Sequence, residues 1–311
     1  MNAARHGQSA HDADHHHETD QDPERDDDHH LGLAADLARL LTRSATRRQS
    51  LRWLFVSAGS AVLPLAGCGG GGADDGFGLS SSTTTTGAAS TGSGSAVCSV
   101  IPEETSGPYP GDGTNRNANG VANALVLSGI VRSDIRTSVA GASGVAQGIP
   151  LTIRLQLVNV AANCGAAAGA AVYLWHCTRE GGYSMYSSGI VSENYLRGVQ
   201  EADSQGVVTF QTIFPGCYDG RMPHVHFEVY PSLAKAGSAS NRVKTSQFAF
   251  PLATLNEAYA TSGYATSVGN LARISYATDN VFSDGTALQM ASVTGNPTQG
   301  YVATLTVGVS L

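Results

Sequence analysis

Residues 96–311 contain a series of short segments that alternate between apolar and polar side chains or are rich in β-branched residues. Clusters of Gly, Pro, Asn and Ser separate them, and helical periodicity is scarce outside 252–260. Strands with turn signals and no intervening helices predict an all-β fold, namely a β-sandwich of mostly antiparallel strands with long loops. The predicted strands are 124–134, 149–159, 170–177, 206–214, 224–230, 246–250 and 300–309.

Composition divides the chain into four parts. Residues 1–45 are almost entirely polar and rich in His and Asp, so they cannot bury enough apolar surface to fold and are expected to form a disordered leader. Residues 69–95 consist mainly of Gly, Ser, Thr and Ala, the composition of a flexible tether. One folded domain is therefore expected over 96–311.

Residues 46–68 have the layout of an export signal. The pair Arg47 and Arg48 opens it, an apolar stretch too short to span a bilayer follows, and a Leu-Ala-Gly-Cys sequence ends it at Cys68. This order is typical of a twin-arginine lipoprotein signal, in which the cysteine is lipidated and becomes the new N-terminus. We therefore expect an exported protein of the cell envelope that is lipid-anchored at Cys68, on the periplasmic side or on the cell surface.

Charge and cysteine usage narrow the function classes. The formal net charge is −7 at pH 7, so the chain has no excess of positive charge with which to bind nucleic acid, and no nucleic-acid partner is expected. Apart from Cys68, the cysteines are Cys98, Cys164, Cys177 and Cys217. An oxidising envelope permits disulfides, and four thiols allow three pairings, all of which stay open. No Cys-x-x-Cys sequence occurs, so the spacing is not that of a zinc ribbon.

His224 and His226 lie two residues apart on a predicted strand, so their side chains share one face. Two imidazoles on a rigid strand form half of a metal site, although paired histidines also occur on ordinary half-buried strands. Zinc needs a further nitrogen, carboxylate or thiolate ligand, and a facial Fe(II) triad needs a carboxylate. A copper/zinc dismutase site needs several more histidines than this domain has. The remaining histidine, His176, fits a structural role.

Two tyrosines are candidates for the missing ligands. Tyr218 follows a Pro-Gly-Cys turn six residues before His224, and Tyr183 lies in a Gly-Gly-Tyr-Ser turn. A phenol has a pKa of about 10 and ionises only near a strongly acidic cation. Phenolates are hard anionic donors, so two of them favour ferric over ferrous iron. The chain has eleven tyrosines, and each one taken alone also fits a packing role.

Several blocks resemble the intradiol ring-cleavage dioxygenases, the family that includes the catechol and protocatechuate dioxygenases, and they are most similar to exported bacterial relatives. They run in family order across most of 98–311, and the Tyr…Tyr…His-x-His set at this spacing is specific. The blocks are 101–109, 169–177, 182–183, 194–200, 206–210, 215–218, 221–226, 246–248 and 277–282.

The resemblance implies a non-haem Fe(III) enzyme that cleaves a small aromatic diol with O₂ between the two hydroxyl-bearing carbons, giving a muconate-type dicarboxylate. It implies Tyr183 and His224 as equatorial ligands, and Tyr218 and His226 as axial ligands. Tyr218 would also leave the metal as a base. Two further catalytic side chains are implied, Arg221 facing the substrate ring and the polar Gln247.

Three positions depart from the family pattern: Tyr173 replaces a common acid, Cys217 a common Trp, and Thr178 a common Asp. None of them removes a ligand, so they bear on substrate fit more than on iron binding. Cys217 is expected to be a buried thiol. The alternative function is that of a non-catalytic β-sandwich lipoprotein that keeps the fold and possibly the metal site.

Overall fold

A computed structural model describes residues 98–311. The predicted leader, export signal and tether all lie outside the described residues. Helix α1 spans Leu252–Tyr259 and helix α2 spans Ala265–Leu271. The strands are β1 Asp112–Asn117, β2 Gly120–Asn123, β3 Pro150–Asn159, β4 Gly165–Ala166, β5 Ala171–Trp175, β6 Arg197–Glu201, β7 Val207–Ile213, β8 His224–Tyr230, β9 Lys244–Ala249, β10 Ser292–Asn296 and β11 Gly300–Val309.

These strands form two main sheets and one hairpin. One sheet has the order β6-β5-β8-β9 and is antiparallel throughout. The other has the order β10-β11-β3-β7, with β4 pairing to the end of β3. Strands β3 and β11 run parallel, so the last strand of the chain lies beside one of its early strands. The short β1-β2 hairpin stands apart from both sheets.

The two main sheets pack face to face around one apolar core. Ile153 of β3 and Phe210 of β7 belong to the same buried cluster as Leu174 of β5 and Phe227 of β8. Each large side chain that is fully buried in this way contributes about 1.5–3 kcal/mol to stability. The predicted all-β sandwich is therefore confirmed, with the core between the sheets.

Six of the seven predicted strands coincide with observed ones, but the strand predicted over 124–134 is wrong. Residues 124–130 form consecutive turns, in which the amide of Leu127 donates to Ala124 and that of Ile130 donates to Leu127. Gly129 adopts a positive φ of 84° there, which interrupts any extended run. The end of this segment contributes isolated bridges, such as Val131 beside Val199, rather than a strand.

The sequence did not predict β1, β2, β4, β6, β10 or α2, whereas the helix predicted over 252–260 matches α1. Strand β6 reads Arg-Gly-Val-Gln-Glu, with a charge, a glycine and no alternation, yet its first three residues are buried. Tertiary contacts rather than local pattern make it a strand. Among residues 98–311, no helix is both long enough and apolar enough to cross a membrane.

The cysteines resolve into one disulfide and two free thiols. Cys98 and Cys164 are bonded, which ties the start of the domain to the end of β3 and its following turn. Cys177 and Cys217 are free and buried. The structure thus selects one pair and confirms Cys217 as a buried thiol.

Candidate metal centre

Strand β8 carries the two histidines on the face of its sheet that points away from the core. Val225 and Phe227 point into the core, so the alternating residues His224 and His226 point to the opposite face. Both imidazoles are nevertheless buried, at 2% and 3% exposure. Their Nε2 atoms lie 3.0 Å apart. The predicted pairing of the two histidines on one strand face is what the structure shows.

Neighbouring groups fix the orientation of both imidazoles. Nδ1 of His224 lies 2.6 Å from the carbonyl oxygen of Met222, so Nδ1 carries the hydrogen and Nε2 keeps its lone pair. The ring of His226 stacks on Trp175 at 4.9 Å between centroids. Burial lowers the pKa of each histidine well below its usual value, and Arg221 also lowers that of His224. Both imidazoles are therefore neutral, the form in which a histidine binds a metal.

Tyr218 approaches the histidines from the turn that follows β7. Its hydroxyl oxygen lies 3.2 Å from Nε2 of His224. Burial raises the pKa of Tyr218 to about 12, although the charge of Arg221 acts in the opposite direction. Part of the Tyr218 residue still reaches the surface, so this phenol sits at the edge of the buried cluster.

Tyr183 reaches the same place from the turn after β5. Its ring centroid lies 5.9 Å from that of Tyr218 and 6.3 Å from that of His226. The residue is 3% exposed, and its hydroxyl is buried without a hydrogen-bond partner. Burial also raises the pKa of Tyr183 well above its usual value. A buried polar atom left unpaired is costly, and its presence here indicates a missing partner.

The four side chains fit a cation that takes phenolate and imidazole ligands. Two nitrogens face each other at 3.0 Å, and the Tyr183 hydroxyl beside them has no partner. Between 98 and 311, no group of three or more His, Cys, Asp or Glu side chains is arranged to hold a metal. A metal bound by both histidines therefore depends on the tyrosine oxygens. Such a donor set suits a hard trivalent ion better than zinc.

Arg221 is held beside this cluster by two side chains. Its Nε lies 3.0 Å from Oδ2 of Asp279, and a terminal nitrogen donates to Oε1 of Gln247 at 2.8 Å. Arg221 and Asp279 are both buried. The Asp279 carboxylate also accepts hydrogen bonds from the backbone amides of Met222 and Val281. The guanidinium is thus rigidly placed near the candidate ligands.

Gln247 links Arg221 to the start of the domain. It lies opposite His226 in the pairing of β8 with β9. Its amide nitrogen donates to the carbonyl of Thr105 at 2.8 Å, while its oxygen accepts from Arg221. Both ends of the side chain are therefore engaged. Sequence reasoning named Gln247 but missed Asp279, which lies far from β8 along the chain and carries no local signal beyond its place in block 277–282.

The segment 105–111 covers the cluster. A Cβ added to Gly107, whose φ is +69°, would lie 3.3 Å from Cε1 of His226. The ring of Tyr109 packs 5.2 Å from that of Tyr183. Two features therefore favour glycine at position 107, namely its positive φ and its close approach to the ring of His226. We call residues 105–111 the covering segment.

The other polar residues considered from the sequence have structural partners. His176 contacts the carbonyl of Cys177 through Nδ1 and the hydroxyl of Thr212 through Nε2, which is the structural role expected. Glu228 accepts a hydrogen bond from the Tyr230 hydroxyl at 2.6 Å and belongs to a separate cluster. The hydroxyl of Tyr173 donates to the carbonyl of Pro110 at 2.7 Å.

Comparisons with known proteins agree with this fold. A family model described as dioxygenase matches residues 132–241, which include all four candidate ligands and Arg221. The chain is similar to an intradiol ring-cleavage dioxygenase from Tetranychus urticae, with 25% identity and a TM-score of 0.53, over 68% of this chain and 95% of that one. It is also similar to the dioxygenase domain of a dioxygenase and carbohydrate-binding fusion from the cellulolytic bacterium Streptomyces sp. SirexAA-E, with 21% identity and a TM-score of 0.42, over 68% of this chain and 99% of that one.

No curated protein sequence matches the chain. The family match and the likeness to the dioxygenase from Tetranychus urticae agree on the class of protein. The chain is therefore a dioxygenase-like oxidoreductase: residues 132–241 match the dioxygenase family model, and the fold is similar to that of an intradiol ring-cleavage dioxygenase.

Proposed function

We propose that this protein uses a non-haem Fe(III) and O₂ to cleave a catechol-type ring between its two hydroxyl-bearing carbons, giving a muconate-type dicarboxylate. The observation that carries the proposal is the convergence of two tyrosines and two histidines from three parts of the chain. One buried cluster contains all four side chains, although they come from two loops and strand β8. They are Tyr183, Tyr218, His224 and His226.

In this proposal the four side chains hold the iron. Fe(III), when bound, supplies a Lewis acid that draws electron density from a diol ring and lowers the pKa of nearby phenols. The neutral imidazoles would hold it through unprotonated nitrogen, and Tyr183 would hold it as a phenolate. Because Tyr183 is almost fully buried and has no other partner, it is the permanent phenolate of the pair.

Tyr218 acts as the base for the substrate. Whereas Tyr183 is almost fully buried, the Tyr218 residue lies in the irregular segment after β7 and is partly exposed. As a phenolate, it accepts one of the two protons that the diol must lose, and its place at the edge of the cluster lets it turn away from the site. Its high pKa in the absence of a cation, about 12, favours retention of that proton.

Arg221 provides a fixed positive charge beside the ring. Asp279 and Gln247 hold its guanidinium, so no reorganisation is needed when negative charge develops on the substrate. Gln247 acts through Arg221 and is therefore a positioning residue. The covering segment excludes water from the face of His226.

Export and lipid anchoring at Cys68 are part of the same proposal. They rest on the sequence of residues 46–68. The disulfide between Cys98 and Cys164 supports an oxidising compartment, where such bonds persist. The substrate would then be an aromatic diol outside the cytoplasm.

Oxygen uptake by the iron-loaded full-length protein, measured against a panel of substituted catechols, tests the proposal. We expect O₂ uptake with at least one catechol and formation of a muconate-type product. In Tyr218→Phe we expect that uptake to be lost. A folded, iron-loaded protein that consumes no O₂ with any member of the panel would favour the non-catalytic alternative.

A further inference from the structure

Arg197 opens strand β6 and is one of the most deeply buried charged groups of the protein, at 1% exposure. Among residues 98–311 no carboxylate lies within ion-pair distance of it, whereas the buried Arg221 has Asp279. A guanidinium has five N–H donors in a planar fork. Without a carboxylate, a buried guanidinium must donate all five of these hydrogen bonds to neutral acceptors.

Every one of these donors reaches a neutral oxygen. Nε donates to Oγ of Ser184 at 3.2 Å, and one terminal nitrogen donates to the carbonyl of Pro110 at 2.7 Å and to the Tyr173 hydroxyl at 3.1 Å. The other terminal nitrogen donates to the carbonyls of Tyr109 at 2.9 Å and Ser184 at 3.0 Å. Five donors therefore meet five acceptors.

Four of the five acceptors belong to two pieces of chain that border the metal centre, and the fifth, the Tyr173 hydroxyl, lies on β5. Tyr109 and Pro110 lie in the covering segment, and the Tyr109 ring packs on Tyr183. Ser184 directly follows Tyr183. Arg197 therefore ties the cover and the turn that carries a candidate ligand to the same strand.

The backbone accommodates this arrangement at Gly111. A Cβ at that position, where φ is +62°, would lie 2.8 Å from a terminal nitrogen of Arg197. The Gly111 amide in turn donates to the hydroxyl of Tyr186, whose ring lies 5.4 Å from the Arg197 guanidinium carbon. The close approach of glycine and guanidinium lets the covering segment lie directly against Arg197.

We infer that Arg197 is a positioning residue for the metal centre: it fixes the Tyr183 turn and the covering segment relative to each other. A neutral side chain cannot replace it, because none has five donors in one plane. Lysine cannot replace it either, since a single ammonium offers three donors from one point. The inference rests on the proposed function for its link to iron, but the tie between the two segments is independent of iron.

Two variants and a matched control test the inference in the full-length protein. Arg197→Lys keeps the charge and loses the fork, and Ser184→Ala removes a single acceptor while leaving Arg197 in place. Arg132→Met is the control, because Arg132 also donates to backbone carbonyls, those of Arg197 and Asn194, but contacts neither the covering segment nor Ser184.

The first readout is amide hydrogen exchange of residues 105–111 in the metal-free protein. We expect exchange there to rise by about tenfold or more in Arg197→Lys, and to a smaller extent in Ser184→Ala, with no change in Arg132→Met. The second readout is the tyrosinate charge-transfer absorption of the iron-loaded protein, whose maximum should shift in both Arg197→Lys and Ser184→Ala.

A purely structural role for Arg197 gives a different pattern. Both variants would then lower the melting temperature, while the exchange of 105–111 and the absorption maximum stay at wild-type values, and that result overturns the inference. If Arg197→Lys does not fold, Ser184→Ala decides by the same two readouts. A wild-type protein without any tyrosinate band would refute the proposed function, yet the exchange readout would still decide the tie between the segments.

Discussion

The hydroxyl oxygen of Tyr218 lies 3.2 Å from Nε2 of His224, although a turn separates the two residues. That nitrogen is free to bind because Nδ1 of His224 is engaged by the carbonyl of Met222. The contact therefore joins a phenol to an available lone pair.

Removing the Tyr183 hydroxyl should weaken metal binding without lowering the stability of the metal-free protein. Because this buried hydroxyl has no partner, Tyr183→Phe removes an unsatisfied group, and the free energy of unfolding of the metal-free protein should stay unchanged or rise by up to about 1 kcal/mol. Iron affinity should fall at least about tenfold. Urea unfolding and iron titration measure the two effects.

Tyr264→Phe is the matched control for that substitution. The Tyr264 hydroxyl is buried, but it donates to the carbonyl of Phe214 and accepts from the amide of Ile149, so its loss should cost about 1–3 kcal/mol of stability and leave iron affinity unchanged. Iron affinity that is lost in Tyr264→Phe and kept in Tyr183→Phe would show that Tyr183 is not a ligand.

The buried ion pair between Arg221 and Asp279 should contribute far more to stability than an exposed ion pair does. Asp279→Ala leaves a buried guanidinium without its carboxylate and should destabilise the protein by about 3–5 kcal/mol. Asp219→Ala breaks the pair with Arg273, both of whose side chains are more than half exposed, and should cost less than about 1 kcal/mol. Equal losses in thermal or urea unfolding would show that Arg221 is not anchored as described.

His176 should make the stability of the protein depend on pH. Burial lowers the pKa of His176 from 6.5 to about 4 in the folded protein. Between these values the unfolded chain binds more protons than the folded one, so this contribution is fully present above about pH 6.5 and is lost as the pH falls towards 4. In urea unfolding across this range, His176→Gln should show a flatter pH dependence than the wild type.

Thr212→Val controls for the hydrogen bond that His176 makes. It removes the hydroxyl that contacts Nε2 but leaves the imidazole in place, so stability should fall while the pH dependence persists. The remaining histidines are common to all three proteins. A pH dependence that is the same in His176→Gln and the wild type would exclude His176 as its source.

The disulfide should contribute strongly to stability because it closes a long loop. Cys98 and Cys164 are separated by 66 positions, for which chain entropy gives a stabilisation of about 4 kcal/mol. Reduction of the wild type, or the substitution Cys98→Ser, should lower the free energy of unfolding, measured with urea, by a similar amount. Reductant should have no further effect on Cys98→Ser, since Cys177 and Cys217 are free already.

The sequence predicted the parts of the site that depend on local pattern. His224 and His226 share a face because strand alternation places them there, and the turns at Tyr183 and Tyr218 are visible as glycine-containing sequences. The family resemblance then assigned a role to each, and the structure brings all four side chains together.

The remaining contacts depend on tertiary structure and could not be predicted. Asp279 reaches Arg221 across 58 positions, and Arg197 reaches Tyr109 across 88. Neither partner has a local sequence signal, because a buried ion pair and a buried guanidinium look like surface charges in the sequence. Strand β6 was missed for the same reason, since it begins with that guanidinium.

Visible absorption of the iron-loaded full-length protein tests the central claim most directly. If two phenolates and two imidazoles hold Fe(III), the protein should be wine-red from tyrosinate-to-iron charge transfer, with the band weakened or shifted in both Tyr183→Phe and Tyr218→Phe and unchanged in Tyr264→Phe. A folded, iron-loaded protein without this band, or with the same band in Tyr183→Phe and Tyr218→Phe, would contradict the claim.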